Sequence, residues 1–208
     1  MELSKISETY SLNRSTYVNL RWIGIIGQLI TINSVYFILG FDFDFIKANL
    51  IIFLGVLSNI FLIYYYNKIQ LSNRSALNFL LIDIIQLSAL LYLTGGVLNP
   101  FSIFLLIPSV FASSNLEIRT NIFLIFITLI SIILLTFYSN SLPGPLSKLV
   151  INNYYYYSIP IALVIALIFL NYFALIFGRE SNIRKEALNK IQEVISKEQE
   201  LVSLGTQA

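Results

Sequence analysis

Two features of this sequence could carry chemistry: the carboxylate of Asp83, which lies in an apolar stretch, and the segment Gly95-Gly96-Val97-Leu98-Asn99-Pro100-Phe101. The 208 residues include no histidine and no cysteine, which excludes imidazole catalysis, a phosphohistidine, thiolate metal sites and disulfides within this chain. Hydrophobic residues make up 57% of the chain and charged residues 12%, whereas a soluble domain is about a quarter charged. We therefore predict an integral membrane protein with no catalytic and no metal-binding residues of its own, and the net charge of +2 gives no reason to expect nucleic acid.

The 95–101 segment has the residue types of a helix reversal. Pro100 lacks an N–H and suits the first turn of a helix, with Asn99 as the N-cap. Gly95 and Gly96 end the preceding helix and give the backbone freedom to reverse. The apolar stretch that follows, 101–116, is about 24 Å long as an α-helix, which is short of a hydrocarbon core of about 30 Å. We therefore expect this loop at lipid depth, where irregular backbone must be buried in protein or line a cavity.

Six apolar stretches are candidates for membrane-spanning helices. Polar or helix-breaking residues separate them, and the first 19 residues show no pattern of a cleavable signal peptide. The fold class is therefore predicted to be all-α and polytopic, with residues 1–177 forming a transmembrane domain. The six predicted helices span about 20–40, 45–66, 76–94, 101–116, 120–138 and 154–177. Pro108 interrupts the fourth of them and is expected to kink it.

The positive charges predict the orientation of the chain in the membrane. Of the 13 lysines and arginines, only Lys47 and Lys148 fall in loops on one side; the other eleven, Arg21 included, fall at the opposite helix ends. By the positive-inside rule, both termini are predicted to be cytoplasmic. Trp22 and the tyrosine runs at 64–66 and 154–157 are predicted to be interfacial anchors.

Residues 178–208 have the composition of one continuous cytoplasmic helix. The segment has no proline and many good helix formers. Its apolar residues repeat every seven positions, which predicts a coiled coil that opens into a helical bundle; a helix on the membrane surface is the alternative. The repeating positions are Ala187, Leu188, Ile191, Val194, Ile195, Leu201 and Val202, with Glu198 and Gly205 interrupting one row. The repeat reaches the last residues without a helix cap, so we expect more protein to follow.

Asp83 is costly in a transmembrane helix, by about 2.5–3.5 kcal/mol, and is therefore a functional candidate. Gln86 lies three residues further on and shares its helix face. Asp83 precedes Gly95 by about 18 Å of helix, so a direct role at the 95–101 segment is not expected. Two roles remain open: a protonatable relay towards the tail, or polar contacts between helices. The candidate partners for such contacts are Gln28, Asn33 and Asn59.

Two stretches carry a resemblance to known families. Residues 198–206, Glu-Gln-Glu-Leu-Val-Ser-Leu-Gly-Thr, resemble the first helix of the dimerisation and phosphoacceptor domain of bacterial histidine kinases. Residues 91–101 resemble the G-G-x-x-N-P-F segment of the RegB/PrrB family of redox-responsive sensor kinases, which have six transmembrane helices. The resemblance implies the N-terminal membrane domain of such a kinase, in the bacterial inner membrane. It also implies a homodimer that signals to a response regulator.

The resemblance further implies that ubiquinone is the sensed ligand and that the 95–101 segment binds it. Asn99 and the freed backbone amides would donate hydrogen bonds to the quinone, while Tyr92, Leu98 and Phe101 would form a slot for its ring. The remaining predicted site residues are Gly95, Gly96 and Pro100 in the loop, and Asp83, Gln86 and Pro108 as coupling positions. The phosphoacceptor histidine and ATP binding would belong to a portion beyond Ala208, so no enzymatic activity is expected of this chain itself. On the residues alone, a tight interhelical turn is the favoured interpretation of the loop, and the family resemblance reverses that preference.

Two alternatives stay open at this stage. One keeps the sensor kinase but replaces quinone with another membrane-soluble signal. The other is a small six-helix transporter in which Asp83 and the broken fourth helix form a midplane site. No inverted repeat is evident in the sequence, and the periodic tail has no role in a transporter.

Overall fold

The computed structural model describes residues 12–66, 69–144 and 152–205, and these residues are almost wholly helical. The all-α prediction is confirmed. A short antiparallel pair, Leu12–Asn13 with Gln70–Leu71, joins two chain segments at one end of the bundle. Two 3₁₀ segments, Gly96–Leu98 and Pro100–Leu106, lie between the third and fourth helices. The helices are α1 (Arg14–Phe37), α2 (Phe45–Tyr65), α3 (Asn73–Leu93), α4 (Ile107–Asn115), α5 (Ile118–Phe137) and α6 (Asn153–Gly205).

The prediction of six membrane spans is wrong: within the described ranges, four helices are long and apolar enough to cross a bilayer. Helix α1 has sufficient length, at 24 residues, but Arg21, Gln28 and Asn33 lower its apolar character. The predicted fourth helix is apolar but too short, since the apolar helical run Pro100–Asn115 has fewer than 18 residues. The four spans are Phe45–Tyr65, Asn73–Leu93, Ile118–Phe137 and Tyr156–Gln199.

The predicted fourth span combines two helix types. Its first seven residues, Pro100–Leu106, form a 3₁₀ helix, which rises about 2.0 Å per residue, and α4 continues it with nine residues at about 1.5 Å. The segment therefore extends about 27 Å, a little more than the all-α estimate. Pro108 lies in the first turn of α4, the part of a helix that tolerates proline best, and the helix changes type just before it.

The core lies between α3, α5 and the 100–115 segment, with α6 packed against it. Leu80, Ile84, Leu105 and Leu124 are almost fully buried there, and Leu167 is the contribution of α6. Lipid tails are as apolar as leucine, so close packing and interhelical hydrogen bonds hold such helices together. The polar contacts inside the bundle therefore determine how the helices are positioned.

Loops at the two ends tie the helices together. At one end, the amide of Asn140 donates to the Tyr92 carbonyl over 3.0 Å. Asp44 caps α2 at the same end, and the hydrogen bond from the Lys47 side chain holds the pKa of the Asp44 carboxyl below its usual value. At the other end, Arg14 donates from its backbone to the Ile69 carbonyl and from its side chain to the Ile63 carbonyl, each over 3.0 Å.

Helix α6 has 53 residues, so it is about 80 Å long and runs without interruption into the charged tail. The predicted continuous tail helix is therefore present as far as Gly205. In the single chain its apolar stripe is exposed, at Leu188, Ile191, Val194 and Ile195. The coiled coil remains a prediction. Lys5, Lys68 and Lys148 of the charge pattern, and Thr206 of the tail motif, lie outside the described residues.

Candidate functional site

The two glycines of the 95–101 segment adopt backbone conformations that other residues rarely do. Gly95 has φ 108° and Gly96 has φ 59°, both in the left-handed region. Neighbouring chain also approaches them closely: a Cβ at Gly95 would lie 2.7 Å from Leu142 Cδ2, and one at Gly96 would lie 2.6 Å from the Leu135 carbonyl oxygen. Both positions therefore require glycine, and they join the turn to the C-terminal end of α5.

Asn99 caps the helix that follows, as predicted, and its side chain also closes the turn. Its Oδ1 accepts from the Phe101 amide at 2.9 Å. Its Nδ2 donates to the Thr94 carbonyl at 2.9 Å and to Thr94 Oγ1 at 2.8 Å. Both amide hydrogens are therefore directed at Thr94 and not outwards, so Asn99 shapes the turn.

Most of the backbone amides expected to be free are also bonded within the segment. The Leu98 amide donates to the Gly95 carbonyl and the Asn99 amide to the Gly96 carbonyl, each over 3.2 Å. The Ser102 amide donates to the Asn99 carbonyl at 2.9 Å. Pro100 has no N–H. The turn is thus held by its own hydrogen bonds.

Exposed aromatic side chains lie within the turn and close to it in the sequence. Tyr92 and Phe101 are 46% and 42% exposed, and Leu98 is half-buried. Phe104, which sequence reasoning missed, is 46% exposed and its ring centroid lies 5.8 Å from that of Phe101. Residues three apart eclipse each other on a 3₁₀ helix, so the two rings meet because this segment is 3₁₀. Tyr92, Phe101 and Phe104 are therefore exposed aromatic side chains, and two of the three rings are in contact.

Asp83 lies in a polar cluster that the sequence did not predict. Arg21 Nε and Nη2 lie 2.9 and 2.8 Å from Asp83 Oδ1, and the Tyr17 hydroxyl donates to Oδ2 at 2.6 Å. Arg21 also reaches Ser58 Oγ at 2.9 Å and lies over the Phe79 ring. The Arg21 side chain is 4% exposed and that of Asp83 17%, so the ion pair is buried within the bundle.

The partners expected for Asp83 bond elsewhere. Gln28 accepts from Gln86 at 3.0 Å, and Asn33 donates to Asn49 at 3.4 Å. Asn59 contacts Arg21, at 3.5 Å, instead of the carboxylate. The positive-inside count treated Arg21 as an interfacial charge; the missed signal was Tyr17 and Arg21 four residues apart, on one face of α1.

A second unpredicted cluster joins α4 to α6. Asn171 Nδ2 donates to Ser109 Oγ at 3.2 Å and to the Leu167 carbonyl at 2.8 Å, while Ser113 Oγ donates to Asn171 Oδ1. All three polar side chains are buried. The signal in the sequence was an asparagine within an apolar helix and two serines one turn apart. Asp83 is about 15 Å of helix from Leu93, so the structure does not bring Asp83 or Gln86 to the turn.

The side-chain contacts described above position the helices relative to one another. Within the ranges 12–66, 69–144 and 152–205, no group of three acidic side chains could hold a metal ion. The polar contacts hold helices against one another.

Comparison with known proteins gives a similar protein. No protein-family model matches the chain, and no solved structure matches it. The chain is 31% identical over 195 residues to the sensor histidine kinase RegB of Cereibacter sphaeroides. The match covers 91% of this chain and 42% of that protein, so the chain spans about two fifths of its relative's length. The apolar helices and this relative together indicate a multi-pass protein of the bacterial inner membrane. This similarity over nearly the whole chain supports a RegB-family sensor kinase membrane region.

Proposed function

We propose that the chain is the sensory input region of a membrane-bound histidine kinase and controls its autophosphorylation. The observation that carries this proposal is the similarity to a sensor histidine kinase over 91% of the chain. The continuity of α6 supports it, since one helix extends from the membrane into the charged tail. A movement of α6 would therefore reach whatever follows the tail.

In this proposal, the kinase works as a homodimer with both termini in the cytoplasm. The exposed stripe at Leu188, Ile191 and Ile195 would pack against the same stripe of a second copy. ATP binding, the phosphoacceptor histidine and the contact with a response regulator would belong to a further portion of the protein. The unequal distribution of lysine and arginine supports the orientation.

We further propose that the sensed ligand is a quinone, bound beside the 95–101 turn. The exposed rings of Tyr92, Phe101 and Phe104 offer an aromatic surface to a flat head group, which stacks favourably on such rings. The Tyr92 hydroxyl is a suitable donor to a quinone carbonyl. Asn99, with its amide committed to Thr94, would fix the turn instead of touching the ligand.

Photolabelling tests the ligand directly. The purified chain, in lipid nanodiscs, would be irradiated with a photoreactive short-chain ubiquinone analogue and the labelled peptide identified by mass spectrometry. Phe101→Ala is compared with Phe126→Ala, because Phe126 is also exposed, on α5, and its replacement removes one phenyl ring elsewhere. We expect labelling near residues 92–104, displaced by unlabelled ubiquinone, with about tenfold weaker binding in Phe101→Ala, equivalent to about 1.4 kcal/mol.

Equal weakening by both phenylalanine variants, or labelling that ubiquinone does not displace, would contradict the quinone site. In that case, a different membrane-soluble signal becomes the better candidate for the same aromatic surface. The kinase assignment is tested separately. A full-length protein that fails to autophosphorylate with ATP would refute it.

A further inference from the structure

Helix α4 packs against α6 at two places. One is a cluster of polar side chains, and the other is a point where the two backbones approach closely. The polar contact, the Asn171 clamp, consists of Ser109, Ser113 and Asn171. Asn171 bridges the two serines: its Nδ2 donates to one and its Oδ1 accepts from the other. In lipid no water competes for these groups, so the clamp fixes which face of α6 meets α4.

The close approach lies two turns further along α6, where the charged tail begins. A Cβ at Gly178 would lie 2.8 Å from both the Cα and the carbonyl oxygen of Ser114, so the two backbones are nearly in contact. Leu163 and Leu167 continue the same buried face of α6 in the other direction. One face of α6 is therefore packed against the rest of the bundle from Leu163 to Gly178.

The other end of this connection is the 95–101 turn. The Pro100–Leu106 helix starts at Asn99 and continues directly into α4, so the turn and the clamp belong to one helical unit. On its other side, Phe111 of α4 stacks on Tyr17 at 5.9 Å, and Tyr17 bonds to Asp83. Helix α4 therefore lies between two polar clusters, the Asn171 clamp and the contact of Tyr17 with Asp83. A displacement at the turn would be passed directly to this helix.

We propose that the Asn171 clamp is the coupling element through which displacement at the turn changes the position of α6. This inference rests on the proposed function. It assigns the transmission of the displacement from the turn to α6 to three residues. Ser109 and Ser113 are one turn, about 6 Å, apart, so an axial shift of α4 favours one serine and breaks the bond to the other. One such bond in a membrane changes an equilibrium constant about threefold to twentyfold, which a ligand can supply through differential affinity. Asn171 is a positioning residue in this scheme.

The test uses Asn171→Leu, with Asn33→Leu as the matched control, since Asn33 bonds within the α1–α2 region, away from α4. The chain has no cysteine, so nitroxide labels at Ile107→Cys and Ser181→Cys report the α4–α6 distance without background. Both positions are exposed. The same variants in the full-length kinase are assayed for autophosphorylation with oxidised and with reduced ubiquinone.

We expect Asn171→Leu to shift or broaden the label distance and to reduce the quinone-dependent ratio at least threefold, with Asn33→Leu matching the parent in both. Ser113→Ala removes a single bond and should change both readouts in the same direction, so misfolding of Asn171→Leu leaves the test intact. An unchanged distance, or a full quinone response in Asn171→Leu, overturns the clamp. A parent kinase without any quinone response overturns the proposed ligand instead, and the distances still decide the clamp.

Discussion

The buried ion pair between Arg21 and Asp83 makes a strong prediction about stability. Replacing Asp83 with Asn removes the charge and keeps the shape, which leaves a guanidinium that is 4% exposed without its counter-ion. Removing one partner of a buried pair costs about 3–5 kcal/mol, because the other charge stays desolvated and unpaired. We therefore expect the equilibrium constant for unfolding to rise about a hundredfold or more.

The matched comparison is Asp44→Asn, the same substitution at an exposed ion pair. Lys47 and Asp44 are 69% and 37% exposed, so their attraction is screened by water. Asn caps a helix about as well as Asp, so the start of α2 is preserved. We expect little change in stability from this control.

Unfolding is measured by titrating the chain in mixed detergent micelles and following the fluorescence of Trp22. Trp22 is the single tryptophan of the sequence, follows Arg21 directly and packs against buried core residues, so it reports on this region. Helical content followed by circular dichroism checks that the transition is cooperative.

The decisive variant is the double replacement Arg21→Met with Asp83→Asn, which removes both charges. Replacing both members of a buried pair is often nearly neutral, so the double variant should lose less stability than Asp83→Asn alone. If the loss in the double variant equals the sum of the two single losses, the residues are not coupled, and the reasoning about the buried pair is refuted.

The same structure predicts the outcomes of three further substitutions. Tyr17→Phe removes a hydrogen bond to a carboxylate and keeps the stacking on Phe111, so it should cost about 1.5–3 kcal/mol in the Trp22 titration. Gly96→Ala should destabilise by more than about 1–2 kcal/mol, since the residue has positive φ and its new Cβ would meet the Leu135 carbonyl. Gly24→Ala is the control, because Gly24 lies in α1 with open space around it, and this substitution should stabilise the chain by up to about 1 kcal/mol. A change in stability of the same sign in both glycine variants would contradict this account.

The local chemistry of the turn could be predicted from the sequence. Asn before Pro specifies a capped helix start, and paired glycines specify left-handed backbone, since both depend on a few neighbouring residues. The bond from Asn99 to Thr94 could not be predicted, because it exists only once the turn has closed. That Pro100–Leu106 forms a 3₁₀ helix could not be predicted either, because the sequence pattern does not distinguish a 3₁₀ helix from an α-helix.

The partner of Asp83 was missed for a different reason. Arg21 is 62 residues away in the sequence, and the positive-inside rule counts an arginine near a helix end as facing water. That rule describes the average position of such charges. A carboxylate inside the bundle changes where an arginine is most stable. Leaving that carboxylate unpaired costs more free energy than burying an arginine beside it. An intramembrane acid is thus a reason to search neighbouring helices for a base before counting charges.

The two polar clusters explain why α4 suits the role proposed for it. Close-packed apolar surfaces lock helices in one register, since any slip loses many contacts at once. Helix α4 meets α6 through small side chains and hydrogen bonds at Ser109 and Ser113, which are directional and can be exchanged one turn at a time. Its opposite side meets Tyr17, which the buried ion pair holds in place. With a fixed contact on one side and exchangeable hydrogen bonds on the other, α4 is suited to the axial shift that the proposed clamp would pass to α6.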